Sequence, residues 1–490
     1  MVGFALLLRF AENPLVESQV KQRMEIHNGS ALYNQLQNPG LPLWKSFYFY
    51  NLTNYQEWAD GKSLPKIEEK GPYSYKENRT KYIQSIEGDT LVYNQTKYFH
   101  WDQSASGENL TADDIICTIN IPMVAAISEK EDANFFIREG LKAIFKAEKA
   151  HMYICHTATD LAWHYTDPLV KMLHKLGQYP RDYVNIQVNG SLNDSLHSAI
   201  NTGASYIKKL GEFIAWDGHT TFLDTWPNGT ATGANRIRGT EGLFFRPLLK
   251  EGDNLTAFID DVQRSFDLQY MGKVKHLDTE AFRYQVVNTT FKSAQTVSEN
   301  SKWGSWCPDG LIFLGPTQYP EIPVFGSKPH YLDGVPELRN CCIGMTEPNR
   351  TLHDITIDVE PTTGANIQVK QILQINVQVN KSKHFDQTGK LMGYNFDSGN
   401  TLYFPVLWLS EHAELTPKFQ QYLDDQGLSE VELVRKGVPI IFWVLIGLAV
   451  VCAMISVASC VGYTVRARRR MARESNDGER RALLNPPRLN

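Results

Sequence analysis

The chain reads as a mainly β protein with inserted helices, an α+β fold of antiparallel strands carried by a helix near its C-terminus. Three observations predict this. Leu373, Ile375, Val377 and Val379 alternate with Gln374, Asn376, Gln378 and Asn380, the period of two of a half-buried strand. Stretches between residues 133 and 177 switch to helical spacing. Residues 438–465 run 28 positions without a charge and end on Arg466 and Arg468–Arg470.

The uncharged run sets the topology. As a helix it crosses a hydrocarbon core of ~30 Å, because its backbone polar groups pair within it. The arginine cluster stays on the cytosolic side. Residues 11–437 then form a lumenal or extracellular domain, and residues 466–490 a cytosolic tail. Asn-X-Ser/Thr acceptors agree with that sidedness. They stand at Asn28, Asn51, Asn78, Asn94, Asn109, Asn189, Asn193, Asn228, Asn254, Asn288, Asn349 and Asn380, all before the span and none after it.

At the other end, Val2–Leu8 is too short to span and lacks the longer apolar core of a signal peptide. The expectation is that residues 1–10 are the remnant of a first span that begins before the given chain, giving two spans rather than one. The alternative is a core strand.

Charge excludes one partner class. The net charge is −5, and the tail's eight Arg against three acidic residues leave −10 for residues 1–465, which argues against nucleic acid. Of seven cysteines, Cys452 and Cys460 lie in the span and Cys117, Cys155, Cys307, Cys341 and Cys342 precede it, where disulfides form. The odd number leaves at least one thiol over. Cys117 with Cys155, and Cys307 with Cys341 or Cys342, are the candidate bridges, and the sequence does not fix the connectivity. No C-x-x-C pair suggests a metal, and neither metal nor cofactor is expected.

Strand signals recur at Trp44–Leu52, Ile355–Val359 and Thr401–Leu409, rich in aromatic and β-branched residues. The first helical patch runs over Ala133–Ile154, with Ile137, Leu141, Ile144, Phe145 and Met152 on one side. The second has Asp167 as cap, Pro168 at its first position and Gly177 as its stop. Ser429–Lys436 predicts a short charged helix leading into the span.

Five segments, in order, resemble the signatures of the class B scavenger receptors, the CD36 family. They are Phe47–Asn54, Gly71–Tyr75, Ser327–Tyr331, Asp358–Gly364 and Phe404–Leu409. The resemblance is nearest in kind to the lysosomal members and covers about residues 20–465. It implies a β-barrel-like ectodomain with a helical apex, here about residues 122–177. It also implies a hydrophobic tunnel that passes lipids (fatty acids, cholesterol, phospholipids) or receives them from lipoproteins, and placement in lysosomal or endosomal membranes or the plasma membrane. Lysosomal members also carry a hydrolase on the apical helices. The chain departs from the pattern at Cys341-Cys342, which follows the Pro-His-Tyr segment, and at Phe135, where the hydrolase carriers have a histidine.

Arg138, Lys142, Lys146 and Lys149 fall on one side of the predicted apical helix. They form a candidate docking stripe for anionic ligands, against the plainer reading of a solvated face balanced by Glu139 and Glu148. In the tail, Glu479 followed by Leu483 and Leu484 has the form of an acidic dileucine signal read by clathrin adaptors. Trp163, Trp216 and Trp303 read as core. The chain has no G-x-S-x-G, H-E-x-x-H or P-loop sequence, so an enzyme is not expected. The expected function is lipid receipt and transfer at a membrane, with hydrolase carriage to lysosomes as the alternative.

Overall fold

The computed structural model describes residues 17–38, 42–185, 187, 190–191, 197–221, 225–226, 233–277, 279–317, 322–417, 420–421, 443–448, 450–454, 457, 461, 463–473 and 476. They fall into two compact units, Lys21–Gln426 and a second joining Met1–Val20 to Gly427–Asn490.

In the larger unit, helix α1 (Ala31–Gln37) precedes β1 (Trp44–Leu52), the expected aromatic strand. Strands β2 (Ile67–Glu87) and β3 (Thr90–Trp101) form a long hairpin that turns at Gly88, whose φ of +54° suits a residue without a Cβ. Next come β4 (Ile115–Ile119), α2 (Ile121–Lys130), α3 (Phe135–Ala147), β5 (Tyr153–Thr157) and α4 (Pro168–Lys175). Each of these helices starts on a side-chain cap: Asn120 accepts from Met123 N, Asn134 from Ile137 N and Asp167 from Val170 N.

The helix expected over 133–154 stops at Ala147. Lys149 turns to φ +48°, and Tyr153 and Ile154 pair with β4, so strand pairing overrides the helical spacing there. That pairing sets Cys117 opposite Cys155, and the two are bridged.

The rest is sheet: β6 (Ser198–Asn201), β7 (Phe213–Ala215), β8 (Leu255–Ile259), β9 (Arg264–His276), β10 (Thr279–Val286), β11 (Leu311–Phe313), β12 (Val324–Ser327), β13 (Thr356–Val359), β14 (Asn366–Asn380) and β15 (Thr401–Glu414). Among the described residues fourteen strands form one sheet, with the path β7-β6-β3-β2-β1-β15-β14-β13-β10-β9-β8, with β12 and β11 branching from β14, and with the two-residue strand Gly190–Ser191 paired to β3.

The path does not close into the expected barrel, because its end strands β7 and β8 are not paired. Gly239 and Thr240 lie between them. Gly239 O accepts from Phe213 N at 2.8 Å, and Thr240 O accepts from Phe258 N at 2.8 Å. A Cβ on Gly239 would stand 2.1 Å from Thr256 O, so only glycine fits this approach.

The alternation along β14 does not divide core from solvent. Gln374 and Asn376 are wholly buried. Gln374 bonds Tyr50 Oη and His330 N at 2.8 Å each, and Asn376 bonds Ser327 Oγ at 3.0 Å. A buried polar side chain is tolerated where it is fully paired, and β1 and β12 bring the partners. The Asp358–Gly364 segment has a similar structural role. The Glu360 carboxylate accepts from Thr362 N, Thr363 N and Thr363 Oγ1, and the Asp358 carboxylate takes both arms of Arg283.

In the smaller unit, the described residues 443–448 and 450–454 are helical, and Trp443, Val444, Leu448, Val451 and Met454 are exposed. Among the described residues no helix is long and apolar enough to cross a membrane. The expected span 438–465 lies partly outside those residues, and the helix expected at 429–436 lies wholly outside them, as do Val2–Leu8.

Candidate functional site

Strand alternation turns aliphatic side chains from six sheet strands toward one point in the larger unit. Ile259 (β8), Leu268 (β9), Val286 (β10), Ile357 (β13), Leu373 and Ile375 (β14) and Leu409 (β15) face a cavity of about 140 Å³. Branched aliphatics line most of it, and a cavity of roughly 150 Å³ with such walls stays dry and accepts apolar guests.

Polar side chains share the lining: Asn185, Gln187, Asp261, Thr317 and Gln371 reach the same space. Behind Asp261 lies a belt of charge: the cations Lys45, Arg79, Lys81 and Lys97 and the carboxylates Glu77, Glu241, Asp260, Asp261 and Glu411. Lys45 Nζ stands 2.7 Å from Glu411 and 3.4 Å from Asp261. Arg79 meets Glu77 and, at 3.0 Å, Glu241. Lys81 reaches Glu241 at 2.5 Å and Lys97 reaches Asp260 at 2.9 Å.

Burial and pairing compete at each member of the belt. Burial opposes the Glu241 charge, but Lys81 and Arg79 outweigh it and hold the carboxyl down at about 2. Burial wins at Lys81, which is pulled down to about 8 despite Glu241. Burial also opposes the Lys45 charge, yet Asp261 and Glu411 hold its ammonium above the ordinary lysine range. Asp261 differs from the other belt carboxylates with resolved shifts. Burial raises it, Lys45 only partly compensates, and Asp260 and Glu411 push it further up. Asp261 lines the cavity and keeps 30% of its side-chain surface accessible.

Beyond the belt is a second cavity of about 80 Å³, lined by Leu32, Leu36, Leu43, Leu243 and Phe244 on its apolar side. A polar cleft of about 30 Å³ between Arg79, Glu241, Gln371 and Glu411 separates the two. Gln371 lines all three spaces. Among the described residues, charged side chains thus line the cleft that shares Gln371 with both apolar cavities.

The structure places the members of the docking stripe as follows. Arg138, Lys142 and Lys146 lie on α3, but Lys149 has left it. Arg138 Nη1 turns back to Ala133 O, and Lys142 Nζ is held by Glu139 at 2.7 Å beside the Phe385 ring. Lys146 and Lys149 are exposed. What the first turn of α3 displays is apolar: Phe135, Phe136 and Ile137 are 61%, 83% and 47% exposed.

Cys307, Cys341 and Cys342 are free thiols, so the bridge expected from Cys307 is not formed. Burial pushes the Cys307 thiol up to about 12. Nine of the sequon asparagines are described. Asn28, Asn78, Asn109, Asn254, Asn288, Asn349 and Asn380 are exposed, Asn51 and Asn94 are half-buried, and none is buried. Asn189, Asn193, Asn228 and the tail residues Glu479, Leu483 and Leu484 lie outside the described residues. Of the tryptophans read as core, Trp163 and Trp303 are buried and Trp216 is half-buried. Sequence reading missed the belt, since its members look like ordinary strand-face charges.

Comparison with known proteins places these features. The model of the CD36 family matches residues 1–460. Lysosome membrane protein 2 of Mus musculus is 29% identical, with 91% of this chain and 90% of that protein covered. Sensory neuron membrane protein 2 of Ostrinia furnacalis is 26% identical over 90% of this chain and 87% of its own length. Scavenger receptor class B member 1 of Sus scrofa is 23% identical over 82% and 76%.

Proposed function

The chain belongs to the CD36 family, and from that premise we propose that it is a membrane receptor that takes lipid into the apolar cavity and delivers it to a bilayer. Members of this family are receptors and not enzymes. The cavity under Leu373 and Ile375 carries the proposal. Each methylene taken from water into such a space gains about 0.8 kcal/mol, so lipid enters without an energy source and flux follows its gradient. In this reading residues 438–465 anchor the protein in the membrane, the sequon asparagines carry glycans on the lumenal side, and Glu479 with Leu483 and Leu484 directs it to lysosomes through clathrin adaptors. Native mass spectrometry of the purified protein tests the reading. Co-purifying lipid that is lost from the double variant Leu373→Phe, Ile375→Phe supports it, and lipid retained equally by that variant contradicts it.

A second reading, carriage of a lysosomal hydrolase, is favoured by one observation: Phe135, Phe136 and Ile137 form an exposed apolar tip on α3. Changing Phe136 to Asp should then cause the hydrolase to be secreted with cellular lipid unchanged. Normal hydrolase retention would dismiss it.

A further inference from the structure

We propose that Asp261 is a head-group anchor, and that the cavity prefers a single-chain amphiphile bearing a primary ammonium, a long-chain amine, over a fatty acid of the same length. The inference rests on the reading that the cavity holds a lipid tail.

The belt contains five carboxylates against four cations. The excess falls at the cavity wall. Lys45, the cation beside Asp261, has three N–H donors. They are directed to Gln187 Oε1 at 2.7 Å, Glu411 at 2.7 Å and, at the longer 3.4 Å, Asp261. Lys97 is turned to Asp260 at 2.9 Å, and Arg79 and Lys81 to Glu77 and Glu241. A carboxylate head at Asp261 therefore faces a like charge, and the belt cations behind it are already held by Glu411, Asp260, Glu77 and Glu241. An ammonium head meets the opposite situation. Asp261 supplies the counter-charge, and Gln187 and Asn185, which line the same cavity, carry amide oxygens with a second lone pair beyond those bonded to Lys45 and Arg181. Charge-assisted hydrogen bonds to a carboxylate in a cavity wall are among the stronger single contacts a ligand can make. The raised protonation range of Asp261 agrees: its charge is incompletely compensated, and a bound cation relieves that.

The test uses the full chain in lipid nanodiscs. Dodecylamine, dodecanol and dodecanoate compete with a fluorescent long-chain alcohol, and the signal of the cavity-filled variant Leu373→Phe, Ile375→Phe is subtracted to remove bilayer partition. The expected result is displacement by dodecylamine at concentrations about tenfold or more below those of dodecanoate. Asp261→Asn should erase that advantage and leave dodecanol unchanged, while Asp261→Glu should keep it. Equal displacement by amine and acid, or an undiminished amine advantage in Asp261→Asn, overturns the inference while dodecanol binding leaves the lipid reading intact. If none of the three competes, the lipid reading falls and this inference with it.

Discussion

Filling the cavity separates a lipid-holding space from a packing defect. Leu373 and Ile375 lie two apart on β14 and are half-buried, with the cavity in front of them. An empty cavity costs about 24 cal/mol per Å³, so about 140 Å³ represents roughly 3 kcal/mol of stability withheld from the lipid-free protein. Replacing both residues by Phe fills part of the space and should recover about 1 kcal/mol of it, a rise in melting temperature of about 2 °C. The same change must weaken lipid binding. Each methylene denied its place costs about 0.8 kcal/mol, so two lost methylenes reduce affinity about tenfold. Differential scanning fluorimetry of delipidated protein reads the first effect and titration with a fluorescent fatty alcohol reads the second. A folded variant that binds the alcohol as tightly as the wild type would refute the reasoning, because it would place the lipid elsewhere.

Other consequences follow from the belt, the disulfide and the thiols. Glu241→Gln leaves Arg79 and Lys81 without their shared carboxylate and should cost about 3–5 kcal/mol near neutral pH. Because the native Glu241 carboxyl is depressed to about 2, its contribution is complete above its ordinary value of 4.5 and is lost as pH falls from there toward 2. The stability gap between wild type and variant should therefore hold down to about pH 4.5 and close below it, and chemical denaturation across that range reads the change. Cys117→Ser opens a bridge with a sequence separation of 38 and should cost about 4 kcal/mol on the loop-entropy account, measured as a shift in denaturation midpoint. Thiol labelling of the denatured, unreduced protein, followed by peptide mapping, should find Cys307, Cys341 and Cys342 modified and Cys117 and Cys155 protected.

The parts of the fold set by local chemistry were legible in the sequence. Trp44–Leu52 is a strand because its aromatic residues pack on a pleated surface. α4 begins and ends where Asp167, Pro168 and Gly177 put it, since a cap, a fixed φ and a left-handed stop act within a few residues. Legibility fails where a partner distant in sequence decides. Glu77, Arg79 and Lys81 alternate along β2 as a solvated strand face would, yet Glu241, 160 positions beyond Lys81, turns that face inward. Gln374 and Asn376 looked outward for the same reason, because Tyr50, Ser327 and His330 are brought to them only by the sheet. On α3 the spacing correctly placed Leu141 and Phe145 in the core, but it also assigned Ile137 there. In the structure the first turn runs clear of the sheet and leaves Ile137 exposed. The sequence also does not show Arg138 folding back on Ala133 O at the start of that helix.

The central claim is that an acyl chain occupies the space enclosed by β8, β9, β10, β13, β14 and β15. Photo-crosslinking with a long-chain alcohol carrying a diazirine near its tail, followed by peptide mapping, tests it most directly. The account predicts adducts on Leu268, Val286, Leu373 and Ile375 that vanish under competition by unlabelled alcohol. Adducts confined to surface residues such as Phe135 and Phe136, with β14 unlabelled, would contradict it.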